Sequence, residues 1–183
     1  MRIISGKFGG RRLTAFTASH IRPTSDRVKE SLFNILQERW DEARVLDLFS
    51  GTGNLGIEAL SRGASWVEFV DDNVKSIMIL KKNLETLGIK SQFKIHKSDA
   101  FKFLKKHAGK PFDLILVDPP FTEKISHPVM LEMSKSSVHN QDSMICIESS
   151  TQEQIEDEYG NLVCVDRRHF GDKVMSFFKR KGG

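Results

Sequence analysis

The chain has 183 residues, 39% of them hydrophobic and 28% charged, with a net charge of +4, which suits one domain with its own core rather than two. No apolar run approaches the ~20 residues that cross a membrane, and the opening Met1-Arg2-Ile3-Ile4-Ser5-Gly6-Lys7 lacks a signal peptide's apolar core, so a cytoplasmic protein is expected. Cys146 and Cys164 stand in apolar, strand-like surroundings and read as free thiols, and the six histidines lack ligand spacing, so no disulfide and no metal is implied.

The charge is uneven along the chain. Arg2, Lys7, Arg11, Arg12, Arg22, Arg27 and Lys29 fall within residues 1–30 against only Asp26 and Glu30, which leaves the remainder close to neutral. A basic end on a neutral body is the footprint of a nucleic-acid surface, and equally of a solvated basic tail. Residues 2–13 alternate loosely around Gly6 and Gly9-Gly10 and predict a small hairpin outside the main fold. After Pro23, Ser25 or Asp26 can cap a helix in which Val28, Leu32, Ile35 and Leu36 recur at helical spacing, with Arg27 and Lys29 on its polar face. Arg22 and Arg27 flank that cap and could grip a phosphate together. This basic extension, 1–25, precedes a core over 26–183.

From Arg44 onward strands and helices alternate, the pattern of a parallel sheet flanked by helices. Strands are expected at 45–49, 66–70, 93–95, 112–117 and 144–147, with a helix after each of the first four; Pro128 suits the first position of the fourth. Segments 162–168 and 173–180, joined by a turn at Gly171-Asp172, read as an antiparallel hairpin added to the sheet edge. The predicted fold is therefore α/β: seven strands, mostly parallel, closed by a C-terminal hairpin. In such sheets ligands bind beyond the carboxyl ends of the strands.

The loop Gly51-Thr52-Gly53-Asn54-Leu55-Gly56 has the spacing G-x-G-x-x-G, which brings backbone N–H groups and a helix N-terminus to a nucleotide-bearing ligand. Asp47 sits inside the preceding strand, where an apolar residue belongs. A carboxylate there repels a pyrophosphate and attracts an ammonium, which favours S-adenosylmethionine over NAD. Ser50, Gly51, Gly53 and Asn54 are the candidate donor contacts in the loop, and Asp118 is a further candidate donor contact. Asp71, twenty residues after Gly51, can accept both hydroxyls of a ribose, while its neighbour Asp72 could cap the next helix. Asp99 could accept from the adenine amino group, with the Ala100 N–H on a ring nitrogen; a plain helix cap accounts for Asp99 equally well.

Asp118-Pro119-Pro120-Phe121 follows the fourth strand. Two prolines make a stiff loop without N–H donors, leaving carbonyls free to accept. The Asp118 carboxylate and the Pro119 carbonyl could each take one N–H of an exocyclic amine and aim its lone pair at a methyl group. Phe121 would stack on a base rotated out of its helix, or else belong to the core.

This motif and the glycine loop together resemble the class I amino-methyltransferases, whose signature is Asp or Asn, Pro, Pro, aromatic. With Arg2 to Phe8 and Arg22 to Glu30, the chain looks like the bacterial RsmD family, small-subunit ribosomal RNA guanine-N2 methyltransferases. The resemblance implies a Rossmann-like methyltransferase fold, S-adenosylmethionine as donor, guanine 966 of 16S RNA in the assembling small subunit as acceptor, and RNA contacts from Arg2, Lys7, Arg11, Arg12, Arg22 and Arg27. Asp71-Asp72 stands where a glutamate is usual, and Phe121 where tyrosine is frequent. Other readings are a DNA or RNA adenine-N6 methyltransferase, an NAD-dependent oxidoreductase, which leaves Asp47 and the Asp118 motif unexplained, and a non-catalytic RNA-binding protein.

Overall fold

The computed structural model describes residues 1–15, 26–36 and 41–182, apart from the side chains of residues 26, 27 and 122. The elements are α1 (Asp26–Ile35), β1 (Arg44–Leu48), α2 (Asn54–Ser61), β2 (Trp66–Asp71), α3 (Val74–Thr86), β3 (Phe93–Lys97), α4 (Ala100–Lys106), β4 (Leu114–Val117), α5 (Ser126–Met133), β5 (Met144–Ser150), β6 (Glu158–Tyr159), β7 (Leu162–Phe170) and β8 (Lys173–Arg180). They form one sheet in the order β3-β2-β1-β4-β5-β8-β7-β6. The first five positions are parallel and the last three join antiparallel. The expected seven strands become eight because the dipeptide Glu158-Tyr159 pairs with Val163 and Leu162, too short a segment to show a period.

Alternation along the strands sorts the core into two layers. Val45, Val67, Phe69, Leu114 and Leu116 pack with α1, α2 and α3 on one face. Leu46, Leu48, Val70, Ile115 and Val117 pack with α4 and α5 on the other. Each such side chain taken fully from water contributes about 1.5–3 kcal/mol. Phe49, expected to end the first strand, lies beyond it with φ 63°, so the chain turns out of the sheet immediately after Leu48. Helix α5 begins at Ser126, which moves Pro128 to its third residue rather than its first.

Three expectations at the N-terminus change. Arg2 pairs with Arg12 in an antiparallel bridge, so a hairpin forms, but it does not stand outside the fold: Ile3 and Leu13 are buried in the core. Its docking point is the end of α2. Glu58, fully buried, accepts from Ile4 N at 2.8 Å and Ser5 N at 3.1 Å, and Lys7 N donates to Ser61 O at 2.7 Å. Gly6 makes that approach possible, since its φ is +80° and an added Cβ would lie 1.8 Å from Ser61 O.

Lys29 is likewise not on a solvated face. The buried stripe of α1 is Val28, Lys29, Leu32, Phe33 and Leu36, the i, i+4 rows starting at 28 and 29, while Ile35, expected in the stripe, is 40% exposed. Lys29 therefore points into the protein, where Nζ lies 3.2 Å from Glu58 Oε2 and donates to Arg2 O and to Asn54 Oδ1 at 3.0 Å. Ser25 and Arg22, and the side chains of Asp26 and Arg27, lie outside the described residues.

Candidate active site

The strand order reverses between β1 and β4, which run side by side in parallel, so the crevice beyond their carboxyl ends is where this architecture places a ligand. The loop after β1 and the loop after β4 meet there. Asp47 projects toward α2 and its Oδ2 accepts from Gly56 N at 2.8 Å. Gly56 is required by that contact, because a Cβ would lie 2.3 Å from Phe69 Cε1 and 2.9 Å from Asp47 Oδ2. Burial, with the negative charges of Asp118 and Asp71 adding to it, pushes the Asp47 carboxyl up to about 8, against the Gly56 N–H, which pulls it down.

That shift has a consequence for stability. The native state keeps the Asp47 proton between pH ~4 and about 8, where the unfolded chain has lost it, so stability contributed here falls as pH rises through that window. Asp47→Asn removes the titration. In urea denaturation the variant is expected to gain on the parent from pH ~5 to ~8, by on the order of a few kcal/mol at the upper end. A pH-independent difference would contradict the burial account.

Asp71 is held by the same loop. Its Oδ2 accepts from Gly51 N at 2.7 Å and its Oδ1 from Asn73 N at 2.9 Å. Burial raises its pKa, assisted by Asp72, while those two N–H groups oppose the rise. The cap of α3 is Asn73, accepting from Lys75 N and Ser76 N, so Asp72 is not the cap. Asp99 is a cap, accepting from Lys102 N at 2.9 Å through one oxygen. Asn54 turns its amide oxygen to Lys29. Asp71, Asp72, Asp99 and Ala100 line one cleft of about 150 Å³ with Phe49, Ser98, Phe101, Pro120, Glu123 and Ile125. Phe49, Phe101, Glu123 and Ile125 are additions to the residues read from sequence.

The second loop leaves β4 with Asp118 N donating to Leu48 O at 3.4 Å. Pro119 is buried, Pro120 is exposed, and Phe121 is half-buried at the start of a 3-10 turn, Phe121–Glu123. Lys173 Nζ lies 4.6 Å from the Phe121 ring centroid and pairs with Glu148, a cation–π contact no local pattern announced. Glu153 ties down the far end of the loop, accepting from Ser126 N at 3.1 Å and Ser150 N at 3.2 Å. On the hairpin, Arg2, Lys7, Arg11 and Arg12 are exposed.

The crevice is acidic and polar. Asp71 and Asp118 are both close enough to Asp47 to raise its pKa, and Ser50, though buried, has no hydrogen-bond partner for its Oγ among the described residues. A sheet of this order, with a glycine loop after β1, an acid after β2 and an Asp-Pro-Pro-Phe loop after β4, is that of a class I, Rossmann-like methyltransferase.

Comparison with known proteins narrows the class. A family model described as Conserved hypothetical protein 95 matches residues 1–179. The putative rRNA methyltransferase YlbH of Bacillus subtilis (strain 168) is 35% identical over 184 residues, covering 100% of both chains. Ribosomal RNA small subunit methyltransferase D of Escherichia coli (strain K12) is 34% identical over 152 residues, covering 83% of this chain and 76% of that one. Among solved structures, the putative methyltransferase yhhF from Escherichia coli superposes with a TM-score of 0.88 at 30% identity, covering 100% of this chain and 99% of that one. The chain belongs to the RsmD family of methyltransferases.

Proposed function

We propose that the protein transfers a methyl group from S-adenosylmethionine to the exocyclic N2 amine of a guanine in small-subunit ribosomal RNA, guanine 966 of 16S RNA, on the assembling subunit in the cytoplasm. The observation that carries this reading is the pairing of a buried carboxylate crevice with the Asp118-Pro119-Pro120-Phe121 loop on adjacent strands. Relatives named for ribosomal RNA methylation support the substrate class. A more distant fold neighbour, the putative methyltransferase SMU.776, 16% identical with a TM-score of 0.68, is described as complexed with SAH.

In this reading Asp47 faces the donor's ammonium, whose positive charge would favour the ionised carboxylate over the protonated form that burial favours; Ser50, Gly51, Gly53 and Asn54 form the loop beside it, Asp71 takes the ribose hydroxyls, and Asp99 with the Ala100 N–H takes the adenine. When bound, the donor supplies an electrophilic methyl on a sulfonium. Asp118 and the Pro119 carbonyl hold the two amine hydrogens, so that the nitrogen lone pair is directed in line at the methyl carbon. Methyl transfer from the sulfonium would place positive charge on the nitrogen, opposite the Asp118 carboxylate, which would stabilise it. With an ordinary pKa of ~3.9 for its side chain type, an aspartate is too weak to deprotonate the neutral arylamine first. Once methylated, the nitrogen would be an ammonium acidic enough to pass its proton to the Asp118 carboxylate. Phe121 stacks on the extruded base, and Arg2, Lys7, Arg11, Arg12, Arg22 and Arg27 contact RNA phosphates.

The test is incubation of unmethylated small-subunit particles with the protein and labelled donor, followed by nucleoside analysis. Label in N2-methylguanosine at one position is expected. Label in N6-methyladenosine would replace the acceptor, and no label in RNA, with donor bound, would refute the function.

A further inference from the structure

The near-neutral body of the chain conceals a second basic surface. Residues 75–110 contain ten lysines against two acids, Glu85 and Asp99, and all ten lysines are exposed. Among the described residues only Lys105 has a carboxylate within ion-pair distance, Glu132 at 3.9 Å. Eight of these lysines lie on α3, α4 and β3, the edge strand of the sheet, and Lys90 and Lys110 in the segments that follow the two helices. Between the end of α3 and β3 lies an open cleft of about 370 Å³, with Leu84, Ile89, Phe93 and Ile95 lining it and Lys81, Lys90 and Glu85 beside them. The band runs up to the donor crevice, since Lys97 ends β3 immediately before Ser98 and Asp99.

Lysines on an edge strand discourage pairing with another sheet, which accounts for Lys94. It accounts neither for the lysines on the two helices nor for an apolar cleft set among them. Cationic side chains tracking beside an apolar, aromatic-bearing cleft are the two ingredients of single-stranded nucleic-acid binding, phosphates on the charges and a base face on the ring. We propose that the β3 edge with α3 and α4 is a second RNA-binding surface, which holds an unpaired tract of the substrate while the N-terminal hairpin holds another part. The proposal rests on the reading of the protein as a ribosomal RNA methyltransferase and adds to it where the substrate lies. The hairpin adjoins this band, since Thr14 N donates to Asn83 Oδ1 of α3 at 2.8 Å and Asn83 Nδ2 to Thr14 O at 3.0 Å, so contacts along both constrain which nucleotide reaches Asp118.

The test uses the full chain and naked small-subunit RNA, with affinity measured against salt concentration. A triple variant, Lys81→Gln, Lys90→Gln and Lys94→Gln, is compared with a control triple at and just beyond the end of β8, Lys179→Gln, Arg180→Gln and Lys181→Gln; melting curves and donor affinity serve as folding checks. Each lost phosphate contact lowers the slope of log affinity against log salt by about 0.7 on single strands. The first triple is expected to lower the slope by about 2 and the affinity at ~0.1 M salt at least about tenfold, with donor affinity unchanged and the control like the parent. A first triple that binds as the parent does, or equal losses in both triples, overturns the proposal. Unchanged affinity for naked RNA with weaker binding to assembled particles also overturns it, in favour of a protein contact. If the parent binds RNA without salt dependence and methylates none, the underlying reading has failed instead.

Discussion

Replacing Asp118 by Ala is expected to lower methyl transfer to RNA about 10³-fold or more while donor affinity changes less than about tenfold. The carboxylate's proposed contribution is made where positive charge develops on the attacking nitrogen, and removing one preorganised electrostatic stabiliser typically lowers turnover 10²–10³-fold; lost orientation of the amine adds to that. The effect belongs in kcat, because little of the interaction exists before charge develops. Asp118→Asn keeps one acceptor without the charge and is expected to fall between parent and Ala. Donor affinity holds because the aspartate also repels Asp47, raising its pKa, so its removal relieves one unfavourable contact in the crevice. Single-turnover rates with saturating donor measure this directly, and a variant that turns over as the parent does removes Asp118 from the mechanism.

Glu58→Ala is expected to destabilise the protein by about 3–5 kcal/mol, the range for breaking a buried pair and leaving its partner unmatched. At ~2–4 °C per kcal/mol for a chain of this size, melting should fall by about 10 °C or more. Four groups depend on this carboxylate: the Ile4 and Ser5 N–H groups, Arg62 Nε at 2.9 Å, and Lys29, itself 1% exposed. Lys29→Met alone should be milder, since Glu58 then keeps three of its partners. Combining Lys29→Met with Glu58→Ala is expected to cost less than the two single losses summed, because both buried charges are then gone, so the cycle is non-additive. Additive losses would mean that the pair does not couple the hairpin to α1 and α2.

The sheet was legible because β1, β2, β4 and β5 are short apolar runs between turn signals, and helices intervene at regular intervals. The two loops of the site were legible for a different reason. Their residues are anomalies in those runs: an acid at 47, glycines at 51, 53 and 56, prolines at 119 and 120. Glu58 was not legible, since an acid in the middle of a helix is ordinary and its partners at 4, 5 and 29 are far away in sequence. Lys29 misled for the same reason; helical spacing admits it to the buried stripe, but only the presence of Glu58 makes burial tolerable. The Lys173 contact with Phe121 joins β8 to the loop after β4, which are brought near each other only by the sheet order. The charge sum hid the β3-edge lysines because acids elsewhere in the chain cancel them.

The central claim is that this crevice methylates a guanine amine in small-subunit RNA. The most direct measurement is quantitative nucleoside mapping of that RNA from cells lacking the gene, with and without restoration of the parent or of Asp118→Ala. The account predicts that one N2-methylguanosine, at the position corresponding to guanine 966, is absent without the gene, returns with the parent and does not return with the variant. An unchanged map, or restoration by Asp118→Ala, would contradict it.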